Sequence, residues 1–423
     1  MIMNKKEETK SDDIVKKGLL LLFLVSISAF RLNWAIALPA FTLIVIYSLI
    51  IDGKLAITCI LKWGLVFWGY YLLSILWGHD TSDTLRYASA IIYIIGIFIF
   101  LPKLIKDKED LNMSLRMIFY SIAITAVLVL LMTPLSEIGT ERIGSVLGLN
   151  ENTFGMRMAI GAMIAMYLLR NKDKKINKVL IVLFTVIFSV LTLLSGSKKG
   201  LILLLIGILA VTFIYSAGRQ RLRRILGLLI VISGLLFLVF NNSVLYSTIG
   251  NRIERTFLTV TGQDSDNLSL QVIGKTVGTT DKSLVERDFY KKQAIELFLR
   301  YPLFGYGGNN FTTRMREINY SHIAYSHNNF TELLCTLGII GFVIYYSYWL
   351  ILLYRLYIIK KNSSNLQIKR MSLLFMSIMI MFILLDYGNV SYVLEFNMFI
   401  LCLIDIFSRI ARKEIEDEKY IHD

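Results

Sequence analysis

Proline, cysteine and charge are all scarce in this chain. Its 423 residues include 4 prolines and 3 cysteines, and charged residues make up only 18%. Cys59, Cys335 and Cys402 all fall inside apolar stretches, so neither a disulfide framework nor a zinc site is indicated. Residues 1–17 are charged and no cleavage pattern follows the first apolar run, so no cleaved leader is expected. What is abundant is apolar: 55% of residues are hydrophobic, and mean hydropathy is +0.61. That excludes an ordinary soluble domain and points to an integral membrane protein. A formal net charge of +14 would suggest nucleic acid in a soluble chain. Here the cations cluster between apolar runs, which membrane topology explains better, and no nucleic-acid partner is expected.

Apolar runs near 18–31, 35–51, 56–77, 87–102, 113–133, 154–169, 179–194, 200–217, 225–240, 331–354, 371–386 and 392–408 predict about twelve membrane helices. The fold class is therefore all-α, a polytopic membrane bundle. Lysine and arginine clusters within 5–17, 103–108, 170–178, 219–224, 360–370 and 409–419 alternate with short loops holding only Arg31, Arg86, Arg142 and the pair Lys198/Lys199. By the positive-inside bias both termini are cytoplasmic. One stretch is out of scale: 241–326 is too polar to span and, by parity, faces outside. This divides the chain into an N-terminal bundle (1–240), an outer loop (241–326) and C-terminal spans (327–423). Within the loop, 284–300 reads as an amphipathic helix lying on the membrane, with Leu284, Val285, Phe289, Ile295, Leu297 and Phe298 as its apolar content.

Residues 325–341, Tyr-Ser-His-Asn-Asn-Phe-Thr-Glu-Leu-Leu-Cys-Thr-Leu-Gly-Ile-Ile-Gly, begin polar and become apolar, as a helix entering a membrane from water does. At 100° per residue Gly338 returns to within about 20° of His327, and Gly341 lies about 40° to the other side. One stripe would then carry an imidazole at the surface and two positions without side chains about 16 Å deeper, where a neighbouring helix could pack. Ser326 and Asn328 supply capping chemistry, and the first-turn amides favour an anion. Read without any relative, His327 is an interface residue and the glycines pack helices.

The spacing His327-Asn328, nine residues, Gly338-Ile339-Ile340-Gly341 resembles the His-Asn-x9-Gly-x-x-Gly signature of the bacterial O-antigen ligase and polysaccharide polymerase family. A second likeness is Arg287 followed by a helical stretch and Pro302-Leu303-Phe304-Gly305-Tyr306-Gly307, similar to that family's periplasmic loop. A third is Ser195-Gly196-Ser197-Lys198-Lys199-Gly200, where the family usually has Ser-Arg-Gly or Ser-Arg-Lys; Lys198 keeps the charge but not the guanidinium fork. A fourth is Asn150-Glu151-Asn152-Thr153-Phe154-Gly155, an asparagine-rich entry to a span. The resemblance covers the second half of the chain and a little before it.

That resemblance implies a GT-C-like membrane glycosyltransferase in the bacterial plasma membrane. Its donor would be an undecaprenyl-diphosphate-linked oligosaccharide, and its product a growing polysaccharide chain. Membrane lipid, a chain-length regulator and a flippase would be its partners. The reaction needs a base for the acceptor hydroxyl and cations for the leaving diphosphate. His327 is the candidate base and Arg287 with Lys198 the candidate diphosphate clamp, and Lys199, Arg157, Asn150, Asn152, Asn328, Arg300, Gly305 and Gly307 are further candidate substrate contacts. Gly338 and Gly341 are expected to pack helices. Asp264-Ser265-Asp266 has an Asp-x-Asp form that could hold a divalent ion, but cations near the site make a metal unnecessary, and no cofactor is expected. His322 could assist His327 or be surface polarity. Polymerase is preferred over ligase. Intramembrane charges at Lys62, Arg116, Arg157, Asp386, Glu395 and Asp405 support a competing reading, a lipid-linked sugar flippase or secondary transporter. A structural scaffold would have no use for a cationic outer loop.

Overall fold

A computed structural model of the chain describes residues 2–29, 34–51, 57–138, 142–171, 175–243, 246–251, 254, 271–272, 275–276, 282–318 and 325–422. In chain order the helices are α1 (Ile2–Ala29), α2 (Trp34–Ile51), α3 (Cys59–Leu73), α4 (Thr81–Leu85), α5 (Ala88–Leu104), α6 (Lys108–Met132), α7 (Glu151–Arg170) and α8 (Lys178–Leu194). They continue with α9 (Lys198–Ile214), α10 (Gly218–Asn241), α11 (Lys282–Arg300), α12 (Phe311–Glu317), α13 (Asn329–Asn362), α14 (Leu366–Asp386) and α15 (Glu395–His422). A two-residue ladder, Gln271–Val272 antiparallel to Lys275–Thr276, is too small to alter the all-α class.

Each of the twelve apolar runs falls on a helix. Among the described residues, 6 helical stretches are long and apolar enough to cross a membrane: Cys59–Leu76, Thr81–Leu104, Lys108–Met132, Glu151–Arg170, Asn329–Asn362 and Leu366–Asp386. α8 and α9 have 17 residues each, about 26 Å of rise, a little short of a hydrocarbon core of about 30 Å. Hydrocarbon offers backbone groups no water, so helix starts must be satisfied locally. Polar side chains do this at Thr58, Asp80, Asn150, Asn177, Ser197, Asn328 and Asn365, each accepting from an amide two or three residues on.

Packing groups the chain into two units that do not follow its linear hydropathy: Met1–Ile44 with Asn112–Leu284, and Val45–Leu111 with Val285–Asp423. In the first unit α7 packs on α8 and α9. A Cβ at Gly200 would sit 2.8 Å from the Gly155 carbonyl carbon, so the two helices meet backbone to backbone at the 195–200 turn. In the second unit α3, α5, α13, α14 and α15 enclose an aromatic core. Trp63 stacks on Tyr348 with centroids 5.1 Å apart, and its indole nitrogen donates to the Ile344 carbonyl at 2.9 Å.

α11 buries a different face from the one its hydrophobic count suggests. Tyr290, Ala294 and Leu297 pack with Tyr306, Phe311, Met315 and Cys335, while Phe289, Ile295 and Leu299 are exposed. Tyrosine and alanine score as neutral, yet at i, i+4 and i+7 they form the inward stripe.

Candidate active site

The second unit contains the histidine motif. α13 starts at Asn329, not before His327, and Asn328 is its N-cap, accepting from the amides of Phe330 (2.9 Å) and Thr331 (3.2 Å). His327 therefore lies outside the helix, with φ 57°, in the left-handed region. That conformation costs a non-glycine residue about 1–2 kcal/mol and persists only where neighbours hold it. The holders are visible on both sides. The Ser326 amide donates to the buried Glu332 carboxylate at 2.7 Å, and the Ser326 hydroxyl donates to the Asn328 carbonyl at 2.8 Å. With Ser326 and Asn328 buried, the half-buried imidazole between them is looped out. Its ring lies against Tyr325 (centroids 4.0 Å) and stacks on Tyr290 of α11 (5.6 Å, 22°).

Arg287 is one turn before Tyr290, so both side chains leave the same face of α11. It is half-buried and forms no ion pair or hydrogen bond with the described residues. Lys292 is engaged by Asp288 (2.8 Å) and is exposed, whereas Lys291 sits over the Tyr387 ring at 4.2 Å. Arg300 ends α11 and is exposed. Asn329 ties the start of α13 to the next corner: its amide donates to Tyr346 Oη (2.9 Å) and Asp386 (3.3 Å), and its carbonyl oxygen accepts from Ser391 (2.9 Å).

The expected stripe from His327 to Gly338 is not formed, because the helix breaks at Gly338 (φ 66°, ψ −172°). The break exposes backbone groups, and the 302–307 turn takes them up. Tyr306 N donates to the Cys335 carbonyl (2.8 Å) and Gly307 N to Thr336 (2.9 Å), while Ile339 N donates to Pro302 (2.8 Å). Tyr70 Oη donates to the Leu337 carbonyl at 3.1 Å. The contact is too close for side chains: a Cβ at Gly338 would lie 2.2 Å from the Leu303 carbonyl oxygen, and one at Gly305 2.4 Å from that of Thr336. Gly305 and Gly307 are thus buried in this interlock rather than on a substrate-facing surface. Gly341 packs against Tyr70. The two motifs that sequence treats as separate are one structural element. Residues 339–362 are 24 in number, about 36 Å of helix and enough to cross by themselves, so 329–337 is a separate leading segment of about 13 Å.

Sequence reading found no signal in the corner after α3, yet it anchors this turn. Gly308 N donates to Ser74 Oγ (2.8 Å), and the Asn310 side chain accepts from Asp80 N (2.6 Å) and donates to Thr84 Oγ1 (2.9 Å). Fully buried Asp83 takes Thr313 (2.7 Å), Arg86 (3.0 Å) and Arg316. The Ser82 hydroxyl, donating to Asp80 at 2.6 Å, holds that carboxyl below its ordinary range. The Asp80 contribution is therefore present at neutral pH and is lost as pH falls through the lowered value. Asp-x-x-Asp on a short helix is the one local hint the sequence offered.

The first unit carries the other predicted contacts. Lys198 and Lys199 open α9, half-buried, behind the Ser197 cap, which accepts from Gly200 N at 3.0 Å. Asn150 caps α7, and the Asn152 side chain accepts from Arg142 at 3.0 Å. Arg142, read from sequence as a scattered loop cation, also donates to the Ser195 carbonyl (2.9 Å) and pairs with Glu151 (3.3 Å). Arg157 donates to the Ser28 carbonyl. Intramembrane charge is likewise engaged: Asp405 accepts from Tyr348 (2.6 Å) and pairs with Arg409 (3.3 Å), and Asp386 accepts from Tyr346 (2.8 Å). Asp264, Asp266, His322 and Arg31 lie outside the described residues.

Fold and site define a polytopic helical membrane protein with a looped-out histidine held against an arginine-bearing helix. Residues 183–346 match the family model described as O-Antigen ligase, and all of 195–200, 287–307 and 327–341 fall inside that match. That stretch of the chain is thus similar to the O-antigen ligase family. A comparison with curated proteins returns no match.

Proposed function

We propose that the chain is an inverting glycosyltransferase that extends polysaccharide on undecaprenyl diphosphate at the outer face of the bacterial plasma membrane. The acceptor sugar hydroxyl attacks the anomeric carbon of the donor glycan. Its proton passes to an imidazole nitrogen of His327, and the anomeric C–O bond breaks with its electron pair leaving on undecaprenyl diphosphate. Arg287 meets the charge that grows on that diphosphate. The observation that carries this reading is the left-handed His327, stacked on Tyr290 one turn after Arg287, which has no ion pair or hydrogen bond among the described residues. The alternative, a ligase moving the finished chain to lipid A–core, uses the same groups. Purified protein with lipid-linked repeat units alone tests the choice: a ladder of products is expected, and product only after adding core acceptor would mean ligase.

Arg287→Ala should abolish transfer and Arg287→Lys should fall between it and wild type, because charge remains without the fork. Turnover should be unchanged by a chelator. Full activity in Arg287→Ala would remove the cation from the mechanism.

Orientation has its own check. Reporters fused after Asp423 or within 360–370 should behave as cytoplasmic and one near Asp266 as external. An external C-terminus would reverse the assignment of faces.

A further inference from the structure

Two short pieces of the second unit, 77–79 and 301–306, bring aromatic rings together. The exposed imidazole of His79 lies flat on the buried Tyr306 ring, with centroids 3.8 Å apart and planes at 15°. Tyr301, itself exposed, leans on both, 5.4 Å from Tyr306 and 6.1 Å from His79. Burial and the hydrogen bond to Glu317 push the Tyr306 phenol far above its ordinary value, so it stays a neutral donor beneath the stack. The backbone below is tightly packed: a Cβ at Gly307 would lie 2.5 Å from Gly78 Cα.

The two ends of this aromatic ledge differ. At one end Trp77 meets Phe304 (5.7 Å) beside Leu76 and Leu303, which are 81% and 57% exposed, an apolar edge of the kind that suits acyl chains. At the other end His79 and Tyr301 have charge around them: the Arg316–Asp80 ion pair (3.2 Å) and exposed Arg300. Acyl chains gain nothing from a charged rim. A sugar ring has an apolar face of C–H bonds, weakly positive and matched to the negative face of an aromatic ring, and a perimeter of hydroxyls that suits guanidinium and carboxylate groups.

We propose that His79 and Tyr301 form a carbohydrate subsite that stacks one pyranose ring of the glycan, the class of ligand resting on the transferase reading above. The 301–307 turn that bears Tyr301 is hydrogen-bonded to the leading segment of α13, so a glycan held there is fixed relative to His327 through docked backbone.

Oligosaccharides released by mild acid from the host's own polysaccharide, free of lipid, are the probe. They are titrated into the full chain in detergent and followed by saturation-transfer NMR. Sugar-ring protons should receive saturation, and His79→Ala and Tyr301→Ala should each bind about 3- to 10-fold more weakly. His79→Phe should bind like wild type, as should Trp77→Ala. Equal affinity in wild type, His79→Ala and Tyr301→Ala would overturn the subsite. So would absence of saturation, or a defect confined to binding phosphatidylglycerol vesicles. Sugar binding that depends on His79 in a protein that transfers nothing would sink the transferase reading and leave the subsite standing.

Discussion

His327→Ala is expected to lower glycosyl transfer by about 10²- to 10⁴-fold while lipid-linked donor still binds. Backbone geometry supplies a control that the side chain alone would not. Residue 327 has φ 57°, which asparagine tolerates several-fold better than most residues and alanine does not. His327→Asn should therefore keep the loop between Ser326 and Asn328 intact and still fail, because an amide cannot accept the proton. The measurement is single-turnover product formation beside donor binding on the same preparation. Retained transfer in His327→Asn would remove the base. Wild-type protein that forms no glycosidic bond but moves lipid-linked sugar across a vesicle would replace the transferase by a transporter.

Gly338→Ala is expected to produce the largest loss of stability, about 2–6 kcal/mol. Two terms contribute. A left-handed φ of 66° with ψ −172° is glycine territory, worth about 1–3 kcal/mol of strain to any other residue. The added methyl would also lie 2.2 Å from the Leu303 carbonyl oxygen and 2.7 Å from Phe304 N, backbone atoms that cannot rotate away. Gly341→Ala should cost less: its φ is not left-handed, so only the crowding remains, with Leu337 Cβ at 2.3 Å and Tyr70 at 3.0 Å from the added methyl. Thermal unfolding in detergent should rank Gly338→Ala well below Gly341→Ala, and below wild type. Equal melting of the two variants would show that the interlock does not hold the unit together.

Much of the architecture was legible because membrane burial writes itself as length and hydropathy. All twelve apolar runs fall on helices, and Asn328 caps its helix as its side chain allows. What failed was periodicity carried across a break. Rotation by 100° per residue assumed that 327–341 is one helix, but a residue outside the helix and a glycine at φ 66° remove both ends of the stripe. Nor could spacing reveal that Asp80, Asp83 and Ser74 hold the 308–316 segment more than two hundred positions away. Those contacts are single hydrogen bonds without a repeating pattern. Arg142 was missed for a related reason: its partners are the Ser195 carbonyl, the Asn152 amide and Glu151, brought together from separate segments by the fold.

The break in α13 also has a mechanical meaning. A span of 339–362 must tilt as the bilayer thins or thickens, and a continuous helix would carry that tilt to its outer tip. Here the nine residues ahead of Gly338 are pinned at one end by the Asn328 and Asn329 contacts and at the other by the 302–307 turn. The same turn also holds the first residue of that span, since Ile339 N donates to the Pro302 carbonyl at 2.8 Å, so both sides of the break and the approach to His327 share one backbone anchor.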